Sequence, residues 1–332
     1  MEKTKIKHID MEMSKIGLGT WAIGGFQWGG TNEQEAIKTI HTALDKGINV
    51  IDTAPGHGFG KAEEIVGNAI KSYAREEIII SSKTGLNWKE NRQLFRDSSK
   101  AHIHKDIEKS LDRLQTDYID VYHVHWPDTY TPFYETAEAL NYLYNEGKIR
   151  AIGLSNFSPE QMDIFREAAP VHAIQAPHNL FERDSENNVL AYAEEKELTA
   201  FFYSSLTRGL LTGKITGESN FKAGDIRLSE DPKFQQPRLE QYLSAVKQLD
   251  HLAQDRFSMT VLELALQWNL QQPGSSVSLW GARRPHQLQP LEKLGGFKID
   301  DDTMKDIDEI LLRTIKSPIE PDFMAPPTKY DI

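Results

Sequence analysis

Eight short β-branched or apolar runs alternate with amphipathic helical patterns along this 332-residue chain, and that alternation confines the fold more than any other feature. The runs fall at residues 15–20, 48–52, 78–83, 118–125, 149–154, 172–175, 199–203 and 276–280, each short enough to be a strand buried on both faces. Between them, residues 33–46, 61–74, 102–114, 135–145, 159–168, 186–195 and 261–271 gather their apolar side chains on one helical face. The segments Thr31-Asn32-Glu33-Gln34 and Ser158-Pro159-Glu160-Gln161 both place a cap-type residue ahead of acidic or amide groups, where such helices begin. Strand and helix repeat without a polar linker, which predicts an α/β fold: one (β/α)8 TIM barrel over residues 1–332 rather than two domains. The exception is 207–237, rich in Gly, Asp, Lys and Pro, predicted to be a long loop after the seventh strand that serves as a lid.

Composition narrows the functional classes. No stretch approaches 18 consecutive apolar residues, and the basic start has no apolar run behind it, so neither a membrane span nor a signal peptide is expected. Acidic residues outnumber basic ones, and the net charge of −11 is spread over helix-like segments, a surface that repels nucleic acid. With no cysteine, disulfides, thiolate metal ligands and a cysteine nucleophile are excluded, and a reducing compartment, the cytoplasm, is the expected location. Nothing in the sequence speaks to oligomeric state.

The barrel reading assigns chemistry to one rim, because active sites of such barrels sit at the C-terminal ends of the strands. Polar residues end six of these strands: Asp52, Lys83, His125, Ser155 with Asn156, Gln175 and Tyr203. Packing requires none of them there, so their convergence predicts a functional rim.

The motifs are more specific. Ile16-Gly17-Leu18-Gly19-Thr20-Trp21, Asp52-Thr53-Ala54, Lys83-Thr84, His123-Val124-His125-Trp126-Pro127-Asp128, Gly153-Leu154-Ser155-Asn156-Phe157 and Arg208-Gly209-Leu210-Leu211-Thr212-Gly213-Lys214 occur in this order. Together they resemble the signature series of the aldo-keto reductase superfamily, and Phe323-Met324-Ala325-Pro326-Pro327 adds a likeness to its bacterial general-stress-type branch. The resemblance implies a barrel that holds NADP(H) across its mouth and moves hydride between the nicotinamide and a carbonyl or alcohol carbon. It assigns catalysis to Asp52, Lys83 and His125, with His57 standing where the family places a tyrosine. Its cofactor contacts fall on Gly19, Thr20, Trp21, Asp52, Ser155, Asn156, Gln175, Tyr203, Ser204, Leu206, Arg208, Gly209, Lys214, Gly281, Arg283 and Gln287. It also places His178 where the branch has a tyrosine stacked on the nicotinamide. Arg283 is placed for a 2′-phosphate, which favours NADP, whereas Pro290 and Leu291 replace an adenine-holding Glu-Asn pair common among relatives. The substrate pocket is expected from Trp21, Phe59, Trp88 and Trp126, aromatic platforms suited to sugar, polyol or cyclitol substrates.

His57 decides what such a site does. Hydride addition to a carbonyl builds an alkoxide, so a proton donor near that oxygen lowers the barrier. A tyrosine has an ordinary pKa near 10 and a histidine one near 6.5, and a neighbouring Lys83 lowers the latter further. A neutral imidazole takes a proton from an alcohol more readily than it gives one to a ketone. The replacement is therefore expected to favour alcohol oxidation, with His57 as base, Lys83 tuning it, Asp52 holding Lys83, and His125 orienting the substrate oxygen. The alternatives are an epimerase or redox-assisted lyase whose cofactor does not turn over, and a catalytically silent NADPH-binding sensor or regulatory subunit. No metal is expected, since the histidines lack close ligand spacing.

Overall fold

The computed structural model describes residues 1–6, 11–272, 276–295 and 297–332. Eight parallel strands close into one barrel: Ile16–Gly19, Val50–Asp52, Ile79–Thr84, Val121–Val124, Ile152–Ser155, Ala173–Pro177, Thr199–Tyr203 and Ser276–Gly281. At the seam Ser278 pairs with Ile16 and Gly281 with Gly19, so the last strand lies beside the first. Helices Glu33–Asp45, Lys61–Ile70, Lys100–Leu114, Phe133–Asn145, Pro159–Arg166, Val189–Glu195 and Val261–Leu270 occupy the intervals read from the sequence, with ends shifted by a few residues. Their starts are fixed locally. The Asn32 side chain accepts from the Glu35 amide, and Ser158 and Gln161 satisfy each other's backbone in a capping box.

The two-residue period of the strands divides the core in two. Val50, Ile79, Val121, Ala173, Phe201 and Val277 point inward and pack with Met11 and Met13. Those methionines flank or belong to an N-terminal hairpin, Lys3–Lys5 against Glu12–Ser14, which the sequence reading did not anticipate. Bonding of the Ser14 amide to Asn49, just ahead of the second strand, sets this hairpin at the barrel's N-terminal end. The alternate residues Ile51, Ile80, Tyr122, Ile152, Ile174 and Phe202 point outward into the helix layer. Each such side chain contributes about 1.5–3 kcal/mol when fully buried. Nothing polar is needed for closure, which leaves the C-terminal rim free to carry chemistry.

Two features differ from expectation. Helices Arg238–Phe257 and Asp301–Thr314 pack on one another outside the barrel. They escaped the sequence reading because only narrow stripes are buried: Leu239, Tyr242, Ala245, Val246, Leu249 and Ala253 on one, and Thr303, Ile307 and Ile310 on the other. The long connection 207–237 is more ordered than its composition suggests: irregular over 213–225, it carries helical turns at Thr207–Thr212, Ile226–Ser229 and Pro232–Phe234, pinned by buried Leu210, Leu211, Ile226 and Phe234.

Candidate active site

The second and third barrel strands end in a buried ion pair. Lys83 Nζ donates to both carboxylate oxygens of Asp52, at 2.9 and 2.8 Å, and to the Thr53 carbonyl at 3.0 Å, so its three protons are all engaged. Asp52 Oδ1 also accepts from Ser81 Oγ and Gln175 Nε2, each at 2.9 Å. Both residues are almost wholly enclosed, 4% exposed for Asp52 and 2% for Lys83, so each charge depends on the other. Thr20 closes the base of this group, its hydroxyl and amide both donating to the Asp52 carbonyl at 2.9 Å.

His57 reaches the same rim from the turn between the second strand and helix Lys61–Ile70. Gly58 has φ +76°, and a Cβ on it would meet the Gly24 carbonyl oxygen at 2.3 Å. A Cβ on Gly24 would likewise meet the His57 carbonyl oxygen at 2.4 Å. These two glycines let the turn press against the short helix Trp21–Gly24, and that contact fixes where the imidazole sits. The ring centroid lies 5.8 Å from that of His125, edge to face, and 6.5 Å from that of Trp21. Its Nδ1 is buried and has no hydrogen-bond partner among the described residues.

Burial, then the Lys83 charge and then His125, hold the His57 pKa well below the ordinary value. His125 is lowered in the same way, by burial, Lys83 and His123. One layer deeper, His123 is lowered by burial and Lys83, and neither of its ring nitrogens has a partner among the described residues. The fifth strand must carry a glycine there, since a Cβ on Gly153 would meet His123 Nδ1 at 2.2 Å. The rim therefore presents neutral imidazoles over a paired ammonium.

These groups open on a cavity of about 860 Å³, in the upper range of ligand and cofactor sites. At its deep end it is lined by Gly19, Trp21, Asp52, His57, Lys83, His125 and Trp126. Ser155, Asn156, Gln175 and Tyr203 form the next wall. There the Tyr203 hydroxyl donates to Asn156 Oδ1 at 2.9 Å, while Asn156 Nδ2 donates to the His125 carbonyl at 2.9 Å. Burial raises the Tyr203 pKa. Ser204, Leu206, Arg208 and Gly209 continue the lining, and Gly281, Arg283 and Gln287 reach the far end. Gln287 Oε1 accepts from the amides of Arg283 and Arg284 at 2.8 and 3.0 Å, which holds that turn. Arg283 itself donates to the Trp28 carbonyl at 2.8 Å and to the Gly30 carbonyl, leaving three of its five donors.

Several predicted residues stand elsewhere. His178 does not face the cavity: fully buried, it packs 4.8 Å from both Phe202 and Trp268 in the helix layer. The reason is strand parity, since Gln175 and Pro177 point inward while Ala176 and His178 continue the outward register. Burial and then Arg183 push its pKa down to about 4. Phe59, at φ 58°, turns its ring onto Phe26 and Trp88 at 4.6 and 5.6 Å, so neither Phe59 nor Trp88 lines the cavity. Leu86 and Leu94, from the small hairpin Leu86–Trp88 and Leu94–Arg96, line it instead. Lys214 is exposed beyond Gly213, whose φ of 70° turns the chain away, and Thr20 is walled off beneath the rim.

The sequence reading also missed one wall of the cavity, formed by the 27–32 turn facing 222–230. Trp28 bridges to Asp225, the Ile226 amide donates to the Gln27 carbonyl at 2.9 Å, and the Arg227 guanidinium lies 4.9 Å from the Trp28 ring and 4.3 Å from the Phe221 ring. Near 200 residues separate the two segments, so no local pattern announces the contact.

The fold and site define a (β/α)8 barrel with a charged rim opening on a long cavity, and comparison with known proteins places it. Residues 15–312 match the model of the Aldo/keto reductase family, and the chain belongs to that family. It is 56% identical over its whole length to the aldo-keto reductase YhdN of Bacillus subtilis (strain 168), all of which is covered. Over 96% of the chain it is 35% identical to the NADH-specific methylglyoxal reductase of Escherichia coli (strain K12), again covered in full. Among solved structures, the glycerol dehydrogenase AKR11B4 from Gluconobacter oxydans superposes with a TM-score of 0.87 at 47% identity, covering 97% of this chain and 99% of that one.

Proposed function

We propose that this protein is a cytoplasmic, NADP(H)-dependent oxidoreductase that interconverts an alcohol and a carbonyl on a small polar substrate, a sugar, polyol or cyclitol, with oxidation the favoured direction. One observation carries the reading: the buried Asp52–Lys83 pair, with neutral His57 and His125 beside it, opens on a single cavity that ends at Arg283. The donor set suits the cofactor. Ser155 Oγ and the second amide atom of Gln175 can take a carboxamide, and the free guanidinium donors at the other end can take a phosphate. The bound dinucleotide supplies the hydride donor or acceptor.

The chain's own residues do the rest. Lys83 places a positive charge near the substrate oxygen and is oriented by its two hydrogen bonds to Asp52. His125 and His57 flank that oxygen. Trp21 and Trp126 offer apolar faces to the ring or chain of the substrate, while the polar wall at Asn156 meets its hydroxyls. In this reading His57 takes the place of the family tyrosine. Held neutral, it has no acidic proton of its own to deliver to a ketone, which disfavours reduction at neutral pH. A relative named for glycerol oxidation is consistent with a polyol substrate. Another is named NADH-specific, so the NADP preference rests on Arg283, backed by Arg284, and not on family membership. The segments at 27–32 and 222–230 act as the lid.

Turnover of NADP+ and NAD+ with a panel of polyols, sugars and cyclitols, followed by absorbance of the reduced cofactor from pH 6 to 10, tests this. The expectation is NADPH formation that falls about tenfold or more in affinity for NADP+ with Arg283→Ala, with little change for NAD+. Undetectable turnover at every pH, in protein that still binds nucleotide, would reject the enzyme reading in favour of a silent binder. Substrate conversion without net NADPH would point to an epimerase or lyase.

A further inference from the structure

We infer that His57 serves the substrate oxygen as a neutral Nε2–H donor, and that the alcohol proton leaves to water and not to this ring. The inference rests on the oxidoreductase reading above and replaces the base role that the sequence suggests for His57.

The observation behind it is the orphaned nitrogen. His57 Nδ1 is buried and has no hydrogen-bond partner, so the ring meets the cavity through Nε2. A neutral imidazole carries one proton, on one nitrogen or the other. With the proton on Nδ1, a buried N–H group has no acceptor, which costs about 1–3 kcal/mol. With the proton on Nε2, only a lone pair is left bare, a lesser penalty. A base acting through Nε2 needs the first arrangement before it accepts a proton and keeps the same orphaned N–H afterwards. The neighbours oppose that second proton as well. The titratable groups around the ring are Asp52 on the second strand, Lys83 on the third, and His125, with His123 beneath, on the fourth. Asp52 is turned to Lys83, and the protons of Lys83 are engaged by Asp52 and Thr53. Neither carboxylate nor ammonium is hydrogen-bonded to Nδ1.

Placed this way, His57 stabilises an alkoxide and does not create it. The substrate O–H bond breaks with its proton passing to water, and the alkoxide oxygen accepts from Nε2–H. A nicotinamide dinucleotide held by Ser155, Gln175 and Arg283 would supply the acceptor for the electron pair of the adjacent C–H bond, taken as hydride. One carbon is oxidised, one cofactor is reduced, and one proton enters the solvent. A preorganised donor at the point where negative charge develops is the larger lever in such chemistry, commonly about 10²–10³ in rate.

The tautomer can be read without turnover. In protein labelled with 15N-histidine and free of nucleotide, two-bond 1H–15N correlations, assigned by the signal lost in His57→Gln, are expected to show an Nε2-protonated ring from about pH 6.5 to 9. An Nδ1-protonated ring would overturn the inference. In activity, a glutamine keeps an N–H donor at the ε position but cannot accept a proton. His57→Gln is expected to stay within about tenfold of the parent for alcohol oxidation, whereas His57→Leu loses about 10²–10³-fold. Equal loss in both would contradict the donor role. For both the parent and His57→Gln, log kcat/KM is expected to climb with pH through neutrality; a plateau above about pH 6.5 in the parent, absent in the glutamine variant, is the signature of a base. Complete absence of redox turnover would reject the oxidoreductase reading, while the spectrum would still decide the tautomer.

Discussion

The molecule holds two buried charge clusters built to different standards. Around Arg208, in the cavity wall, every charge is closely paired. Its guanidinium donates to Glu182 at 2.7 Å, to Asp231, and to Ser204 Oγ at 3.1 Å, while Lys233 Nζ lies 2.8 Å from Glu182 and Asn179 donates to the same carboxylate at 2.6 Å. Burial alone would push the Glu182 pKa up, yet Arg208 and Lys233 hold it at about 2. Around Lys83 the ion pair is equally tight, but the polar groups stacked on it are left unmet: Nδ1 of His57 and both ring nitrogens of His123. Close pairing of every charge marks the cluster that holds a wall in place. Unmet nitrogens mark the one that waits for a ligand, where local rules are broken and the surrounding fold carries the cost.

That contrast can be broken by substitution. Arg208→Met leaves two buried carboxylates facing one lysine and is expected to cost about 3–5 kcal/mol in denaturant unfolding, in protein that retains measurable turnover. A cost below about 1 kcal/mol would remove the distinction. Next in size is the double variant Asp52→Asn with Lys83→Met, which removes both charges together. Its turnover should fall by about 10²–10³-fold or more while stability changes by less than about 2 kcal/mol, since a buried pair replaced whole is often near neutral. A collapse of stability with turnover intact would invert the assignment.

The smallest effect concerns pH. His57, His123, His125 and His178 all hold folded pKa values below the ordinary one, so between the two values the unfolded chain binds more protons than the folded one. Stability is therefore full above about pH 6.5 and falls as the solution is acidified towards the folded values. His178, at about 4, accounts for roughly 3 kcal/mol of that loss. Chemical unfolding of His178→Phe at pH 7.5 and pH 4.5 should show the acid loss shrink by this order, with activity at pH 7.5 little changed. An unchanged acid loss would mean that this ring titrates normally.

What the sequence made legible follows the same division. The eight strands and their polar ends were readable because apolar runs and the residues that stop them are local: Asp52, Lys83, His125, Ser155 and Gln175 each close a strand and each reaches the cavity. His178 was misplaced because its position in a motif outweighed a simple count along the strand, in which Gln175 points in and every second residue after Ala176 points out. Phe59 was misplaced because its left-handed backbone, at φ 58°, belongs to a conformation seldom taken by a phenylalanine. The wall made by Trp28 and Arg227 had no local signal at all, since it arises from a bridge between Trp28 and Asp225. Composition read 207–237 as loop, yet four buried apolar side chains fold it into turns.

The central claim is that a neutral imidazole at position 57 sets the direction of this site. The most direct measurement compares the initial rates of polyol oxidation with NADP+ and of aldehyde reduction with NADPH, at pH 7, in the parent and in His57→Tyr. A tyrosine beside the Lys83 ammonium gains a proton it can deliver, so the variant is expected to gain aldehyde reduction by about tenfold or more and to lose polyol oxidation. Equal ratios of the two rates in both proteins would contradict the account.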